Sequence, residues 1–453
     1  MNDCIRFSPR ASLALLGIRA GQMGIWNVIE EHVHIKQKVL RHTPLDKVKD
    51  AFINIVAGGH GLVEVNSRVR PDAALSAAFG RARCADQSTI SDTLNQCTDE
   101  NVAEMRAALR QIYQRYGSGH HHSYGKEWQL LDVDMSGLPA GKQGEGSEKG
   151  YFAGRKNCRG RQLGRVVATR YDEIVVDRLY DGKTQLERSL QPLVEESEEV
   201  LALNSGLRQR TIIRVDGGGG SDKDINWLLN RRYLLLVKVK NWQRAVKLSC
   251  SVSTWYRDSK VPDREVGWVQ QPHAYDQPTR QLAIRARQKS GKVSHMVLVF
   301  NLSDEMLFWL TDRPLPSALT PPERLFAALY AYDRRSGAVE TVIKGSKQGL
   351  GLNKRNKKRF AAQEMLVLLG QLAYNLIVWT RNRLAAHTPS LAHWGMVRMV
   401  RDAFHIPGCI QLDSRSRIQQ VTLNQAHALS VVFIKALSSY LARDGTLLIL
   451  GQI

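Results

Sequence analysis

Two apolar stretches that each end in an acidic residue decide the fold: WQLLDVD at residues 128–134 and TIIRVDGGGG at residues 211–220. Short runs of Val, Leu and Ile bounded by polar residues or glycines predict buried β-strands, so Asp134 and Asp216 lie at strand ends. A third acid, Glu340, lies in YDRRSGAVE at residues 332–340, and Lys347 follows two helical turns later. Carboxylates delivered by two strand ends and one helix suit a paired Mg²⁺ site.

The elements predicted around the first two acids have a recognisable order. Three strands, a helix, a strand, a helix and a fifth strand are expected at residues 128–134, 161–170, 172–180, 185–203, 210–216, 222–230 and 232–239. This order is typical of a ribonuclease-H-like domain. We therefore predict an α/β protein whose catalytic domain begins with residues 126–240.

The rest of the chain divides into four further parts. Residues 241–315 alternate in polarity, contain four tryptophans and predict a β-rich insertion. Residues 316–390 form the second part of the catalytic domain, with the helix of Glu340 and a buried helix at 360–384. The membrane-like stretch of this helix, 365–379, is too short to span a bilayer and contains Gln371 and Asn375. A helical N-terminal DNA-binding region is expected at 1–125, with a tight turn near 84–92, although the same pattern fits a packing domain. A helical C-terminal subdomain is expected at 391–453.

The charge of the 453-residue chain points to a polyanionic partner. Lys and Arg number 64 against 43 Asp and Glu, which gives a formal net charge of +21. Nucleic acid is the commonest partner that explains such an excess. Two basic stretches are candidates for phosphate contacts, although a solvated surface would have the same composition. Their candidate residues are Arg155, Lys156, Lys354, Arg355, Lys357 and Lys358.

Several other function classes lack their sequence signals. The chain has neither a G-x-x-x-x-G-K-[ST] phosphate loop nor the G-x-G-x-x-G start of a dinucleotide-binding helix. No cysteine pair has zinc spacing, and the first residues lack the pattern of a signal peptide. We expect a cytoplasmic protein without a membrane partner.

The three acidic segments together resemble those of the DDE transposases of bacterial insertion sequences, in the group with a Tyr-Arg-Glu-Lys signature. The matching residues here are Tyr332, Arg335, Glu340 and Lys347. Related sequences have two, three and six residues between these four, whereas this chain has two, four and six. One extra residue rotates the following part of a helix by about 100°. Either a bulge absorbs it, or the arginine partner is placed differently.

Two residues compete for the first acid. Asp132 and Asp134 point to the same face of a strand, so periodicity does not choose between them. Similar transposases have a Thr or Ser soon after the first acid, and Ser136 takes that place here. The resemblance favours Asp134 and leaves Asp132 as the alternative.

The resemblance implies a cut-and-paste transposase with Asp134, Asp216 and Glu340 as catalytic metal ligands for two Mg²⁺ ions, with Mn²⁺ as a possible substitute. Tyr332, Arg335 and Lys347 would hold the transposon end, and Trp255 or Trp268 could stack on a flipped base. The implied partners are double-stranded DNA of the transposon ends and the target, bound by a homodimer in the bacterial nucleoid. Two alternatives are a transposase-derived DNA-binding protein without catalysis and a ribonuclease-H-like nuclease without strand transfer.

Overall fold

The structure, a computed structural model, describes residues 4–39, 41–152, 157–288, 290–413, 417–441 and 446–452. The N-terminal part begins with one strand and continues as seven helices. These elements are β1 (Cys4–Ser8), α1 (Ala14–Gln22), α2 (Ile25–His32), α3 (Pro44–Val56), α4 (Val65–Arg68), α5 (Ala73–Ala78), α6 (Gln87–Gln96) and α7 (Asp99–Tyr116). The longer helices start at side-chain caps: Thr43 caps α3 and Thr98 caps α7, and each accepts a hydrogen bond from a backbone N–H of the first turn.

The next part forms the strands and helices that the sequence predicts. They are β2 (Gln129–Pro139), β3 (Glu148–Lys149), β4 (Arg159–Ala168), β5 (Glu173–Asp181), α8 (Leu186–Leu201), α9 (Ser205–Arg208), β6 (Thr211–Val215), α10 (Asp222–Asn230) and β7 (Leu234–Lys238). Strands β2, β4 and β5 are antiparallel neighbours, while β6 and β7 run parallel to β2. The order β5–β4–β2–β6–β7 is consistent with a ribonuclease-H-like fold.

Alternation along these strands buries both faces of the sheet. Leu131 and Val133 of β2 pack toward α8 and α10, whereas Leu130 packs on the opposite face against the helix at Pro321–Arg335 and its neighbours. Asp132 and Asp134 share that second face. The pleat of β2 therefore directs both acids toward the helix that carries the signature.

The predicted insertion contains strands, but these strands continue the central sheet. Its elements are α11 (Trp242–Ser249), β8 (Tyr256–Arg257), β9 (Arg264–Trp268), β10 (Arg280–Arg287), β11 (Val293–Phe300) and α12 (Asp304–Leu310). Strand β11 pairs with β7, so the ten-stranded sheet runs β3–β4–β2–β6–β7–β11–β10–β9–β8, with β5 outside β4. The helices at both ends of the insertion were not expected from its β-rich pattern.

Three helical segments after the insertion run continuously past the acidic strand ends. They are α13 (Pro321–Arg335), a π-helical turn at Ser336–Glu340, and α14 (Thr341–Gln348). The buried helix α15 (Phe360–Ala385) follows. By length and composition α15 could cross a membrane, but its apolar window is entirely buried inside the protein, as expected for a core helix.

The C-terminal part corrects the prediction of a helical subdomain. It contains α16 (Met396–Arg398), β12 (Gly408–Leu412), β13 (Ile418–Asn424), α17 (Ala428–Leu441) and β14 (Leu447–Gly451). Strand β1 from the other end of the chain pairs with β12 and completes a four-stranded sheet, β1–β12–β13–β14. Strand Gly408–Leu412 alternates between buried and half-buried residues, which is the period of a strand, whereas the continuous apolar run at Leu447–Gly451 does not distinguish a strand from a buried helix by periodicity.

Candidate active site

The carboxyl ends of β2 and β6 bring two acids together. Val133 pairs with Val215 in the parallel register, so Asp134 and Asp216 occupy the next positions on neighbouring strands. Both line one cavity of about 880 Å³. Lys238, at the end of the adjacent strand β7, and Lys347 and Lys354 line the same cavity. Two carboxylates surrounded by lysines are suited to a phosphodiester, because the lysines attract its charge and the acids can hold cations.

Asp132 and Asp134 have different partners although they share a strand face. Asp132 is fully buried, and Arg214 donates to both of its oxygens at 2.7 Å. Thr169 donates a further hydrogen bond to Oδ2 at 2.6 Å. Because these donors occupy its acceptors and neutralise its charge, Asp132 holds the sheet together rather than facing the cavity. Asp134 is the acid of the pair that lines the cavity.

The surroundings of Asp134 favour its neutral form. Burial raises the pKa of Asp134 most, Arg335 lowers it, and the charge of Asp216 raises it, so that the net pKa lies above the usual value. The nearest guanidinium nitrogen, Nη2 of Arg335, is 3.1 Å from Asp134 Oδ1. The charge of Arg335 also acts on Asp216. A divalent cation held by Asp134 and Asp216 would offset the repulsion between these two carboxylates.

Glu340 lies on the π-helical turn, outside this pair. Its side chain is exposed, and it is not among the described residues that line the cavity. Within the described part of the chain, no three His, Cys, Asp or Glu side chains come close enough to hold one metal ion. The structure thus brings together Asp134 and Asp216 and leaves Glu340 apart from them.

The π-helical turn contains the extra residue of the signature. A π turn holds one residue more than an α turn. The five residue steps from Arg335 to Glu340 therefore give the rotation of four α-helical steps, so the side chains of Arg335 and Glu340 are about 40° apart around the helix axis. Lys347, two α turns further on, shares the face of Glu340. Of the two possibilities that the sequence left open, a bulge is the one present.

Three signature residues contact or approach β2. Arg335 is buried and donates to the carbonyl of Val133 at 3.0 Å, next to its ion pair with Asp134. Lys347 Nζ donates to Ser136 Oγ at 2.6 Å and to the carbonyl of Gly137 at 3.0 Å. The pKa of Tyr332 is raised by burial, with Asp216 and Asp134 adding to the effect and Arg335 opposing it. The signature helix is thereby tied to the strand of the first acid.

Comparison with known families identifies the chain. Residues 126–376 match the Transposase DDE domain family, which is more than half of the sequence. The chain belongs to this family. A DDE transposase cleaves and joins DNA phosphodiesters, and domains of this family generally use divalent metal ions.

Two further comparisons were made for this DDE transposase, one with curated proteins and one with solved structures. No curated protein matches its sequence. A solved structure, the cryo-EM structure of the piggyBac transposase synaptic complex with hairpin DNA, aligns with a TM-score of 0.44 and 11% sequence identity. That alignment covers 89% of this chain and 82% of the other.

The second basic stretch of the transposase has mixed surroundings. Lys354 is exposed and lines the cavity, and Lys358 is exposed as well. Lys357 Nζ donates to the hydroxyl of Ser91 on α6 at 2.6 Å. Arg355 is fully buried and donates to the carbonyls of Leu350 and Gly59, so the prediction that it contacts DNA is wrong for this conformation. Arg155 and Lys156 lie outside the described residues.

The two tryptophans proposed for base stacking lie away from the cavity. Trp255 is covered by the guanidinium of Arg285, and Trp268 by that of Arg280, with centroid distances of 4.3 and 5.0 Å. Both side chains are half-buried and belong to the insertion at residues 241–315. Sequence reasoning instead missed Lys238, which lines the cavity. Its position at the end of a strand parallel to that of Asp216 is the signal that could have identified it, since ligands gather at the carboxyl ends of parallel strands.

Proposed function

We propose that this transposase moves a bacterial insertion sequence by cut and paste, cleaving DNA at terminal inverted repeats and joining the freed 3′-hydroxyl to target DNA. The observation that carries the proposal is the pairing of Asp134 and Asp216 in a lysine-lined cavity at the strand ends. The Tyr-Arg-Glu-Lys residues on the adjacent helix support assignment to the group with that signature. We further propose that two copies act together in the DNA complex, one for each transposon end.

The metal ligands in this proposal are Asp134, Asp216 and Glu340, with Mg²⁺ as the ion and Mn²⁺ as its substitute. Bound divalent ions supply Lewis-acid activation of the attacking hydroxyl and stabilise the leaving oxygen. Asp134 and Asp216 hold their positions through the parallel register of β2 and β6. Glu340 completes the set when the DNA complex forms, because its exposed side chain lies on the same helix face as Arg335 and Lys347, which both reach β2.

The cationic residues of the cavity position the DNA strand. Lys238, Lys347 and Lys354 offer ammonium groups to the phosphates on either side of the scissile bond. The hydrogen bonds of Lys347 to Ser136 and Gly137 keep its charge beside the strand of Asp134. Tyr332 and Arg335 are proposed to contact the transposon end once Arg335 exchanges its bond with Asp134 for a phosphate.

Cleavage of a duplex carrying the element's terminal repeat tests the proposal. The wild-type protein is expected to nick it with Mg²⁺, whereas Asp134→Asn, Asp216→Asn and Glu340→Gln bind it and do not cut. Normal cutting by Glu340→Gln would remove Glu340 from the ligand set. Binding without any nicking would indicate the non-catalytic DNA-binding protein, and nicking without joining to a second DNA would indicate a nuclease.

Metal binding has a readout that is independent of cleavage. Because an ion that binds only the folded state stabilises it, Mg²⁺ or Mn²⁺ should raise the Tm of the wild-type protein. Asp134→Asn and Asp216→Asn should lose most of this rise. The matched control is Asp224→Asn, a change to an acid near the start of α10, whose residues are not among those lining the cavity. An equal rise in all four proteins would place the metal elsewhere.

A further inference from the structure

A buried arginine on β4 connects the central sheet to helix α14. Arg165 pairs with Asp134 of β2 on one side and with Asp177 of β5 on the other, so three charged residues form a row across neighbouring strands. Arg165 and Asp177 are each only 1% exposed. Charges this far from water are tolerated only when hydrogen bonds satisfy them, so the partners of Arg165 are constrained.

The guanidinium of Arg165 divides its donors between the sheet and the helix. Nε and Nη2 donate to the two carboxylate oxygens of Asp177, both at 2.6 Å. This bidentate pair fixes the plane of the guanidinium. Nη1 donates to the hydroxyl of Ser346 at 2.8 Å and to the carbonyl of Val342 at 3.3 Å. Asp177 thereby orients Arg165 toward α14.

The segment that Arg165 contacts lies between two residues of the signature. Glu340 is two residues before Val342. Lys347 directly follows Ser346. Because the helical repeat fixes the relative directions of neighbouring side chains, the hydrogen bonds of Arg165 determine how Glu340 and Lys347 are turned relative to the sheet.

A second arginine holds the helix on the other side of the π-helical turn. Arg335 precedes the turn and is bound to the carbonyl of Val133 and the carboxylate of Asp134. Arg165 binds the helix after the turn, from the residue of β4 that pairs with Asp134. Glu340, the last residue of the turn, therefore lies between two arginine contacts made at the same level of the sheet.

We propose that Arg165 and Ser346 are positioning residues for strand cleavage. Their hydrogen bond sets the rotation of α14 and its distance from the sheet, and thereby places Glu340 and Lys347 beside the scissile phosphate. This inference rests on the proposed function and adds two residues to it. Neither is among the described residues that line the cavity, so both act through the helix. Misplacement of a reacting group by about 1 Å can cost about 100-fold in rate.

Ser346→Ala tests the inference, because it removes the hydroxyl and leaves Arg165 paired with Asp177. The full-length variant should bind a terminal-repeat duplex with the wild-type Kd and nick it about 10- to 100-fold more slowly at saturating DNA. The rise in Tm that Mg²⁺ causes without DNA should persist, since Asp134 and Asp216 are unchanged. Ser346→Thr, which keeps the hydroxyl, should nick faster than Ser346→Val, which has the same shape without it.

A second measurement does not depend on cleavage. Amide hydrogen exchange in Thr341–Gln348 should be about tenfold faster in Ser346→Ala than in the wild-type protein, because a hydrogen bond to a charged group no longer holds the helix. Arg165→Lys should slow nicking as well, since one ammonium group does not replace the fork of the guanidinium. The double variant should be no slower than the slower single variant, because both changes remove the same contact.

The matched control is Ser197→Ala. Ser197 is a buried serine of α8 whose hydroxyl donates to the carbonyl four residues earlier at 2.7 Å, as that of Ser346 does at 3.0 Å. Helix α8 packs on the opposite face of the sheet, so this variant should match the wild-type protein in nicking and in exchange of α14.

Three outcomes would contradict the inference. Wild-type nicking by Ser346→Ala, whatever its exchange rate, would overturn the positioning role alone. Slower nicking together with loss of the Mg²⁺ effect on Tm would also overturn it, because the acids themselves would then be displaced. A wild-type protein that does not nick the duplex would overturn the proposed function together with it.

Discussion

The carboxylates of Asp132 and Asp134 are two residues apart on β2 and differ in what neutralises them. Arg214 and Thr169 saturate Asp132, whereas Asp134 pairs with Arg335 and lies within the electrostatic influence of Asp216. The sequence predicts that both acids point to one face, because the period of a strand is two. It does not predict the partners, since Arg214 lies 82 residues away and meets Asp132 only through the parallel register of β6.

The raised pKa of Asp134 leads to a prediction about stability and pH. A folded-state pKa above the unfolded value means that the folded protein binds the proton more tightly, so stability is lost as the pH rises from the unfolded pKa through the folded pKa of Asp134 and stays lower above it. Asp134→Asn removes this cost. At pH 7 the variant should therefore unfold at higher urea concentration than the wild-type protein, and the gap should narrow as the pH falls toward 4.

Asp132→Asn, in the same unfolding experiment, should have the opposite effect to Asp134→Asn. It leaves the buried Arg214 guanidinium without its anion, which costs about 3–5 kcal/mol of unfolding free energy. Chemical denaturation at pH 7 should thus move the two variants in opposite directions. A destabilised Asp134→Asn would mean that its ion pair with Arg335 outweighs burial and the repulsion from Asp216.

At the scale of elements, the π-helical turn at Ser336–Glu340 is the feature that the sequence signalled without resolving. The spacing of the signature showed one residue too many, and the structure accommodates it within a single turn. Sequence reasoning also placed α10 at its observed bounds and β6 within one residue. Long amphipathic or apolar segments are predicted well because burial determines their pattern. A bulge within a helix depends on contacts at both of its ends and has no such pattern.

Deletion of Gly337 tests the role of the turn. A Cβ at Gly337 would meet nothing within 4 Å, so this residue fills no packing site. Its loss converts the π turn to an α turn while Arg335 and Lys347 keep their contacts with β2. We expect the deletion variant to fold, to bind DNA and to cut it within about tenfold of the wild-type rate.

Deletion of Lys344 is the matched control, because this exposed residue lies in the regular helix α14. There the loss of one residue rotates Lys347 by about 100° away from Ser136, and cleavage should disappear. Comparable activity of the two deletion variants would show that the π turn does not keep the signature in register.

The basic stretch at residues 354–359 contains one lysine that lines the cavity and another that forms a hydrogen bond within the protein. Lys354 lines the cavity, whereas Lys357 is tied to Ser91 on α6. Lys354→Ala should lower the slope of log Kd against log salt by about one, as expected for one lost phosphate contact. Lys357→Ala should leave that slope unchanged and lower the unfolding free energy by about 1 kcal/mol. Salt titrations and urea unfolding of both variants separate the two roles.

For the whole molecule, parts of the chain that the sequence interpretation assigns to different domains share one hydrophobic core. The N-terminal helices, α15 and the C-terminal strands contribute to one hydrophobic core, and β1 pairs with β12 at the other end of the chain. Glu173 on β5 joins the same parts, since Tyr113 of α7 and Trp379 of α15 both donate to it. Such contacts join residues from 60 to about 400 positions apart. Local periodicity carries no information about them.

The shared core predicts that the catalytic segment does not fold by itself. Helix α15 is buried along almost its whole length, and its Met365, Leu369 and Leu372 belong to the core that includes the N-terminal helices. A fragment of residues 126–390 exposes this face to water, at a cost of about 25 cal/mol per Å² of apolar surface. We expect the full chain to unfold in one calorimetric transition and the fragment to aggregate or to bind a hydrophobic dye without any transition. Two separate transitions in the full chain would instead show that the N-terminal helices fold independently, as the sequence first suggested.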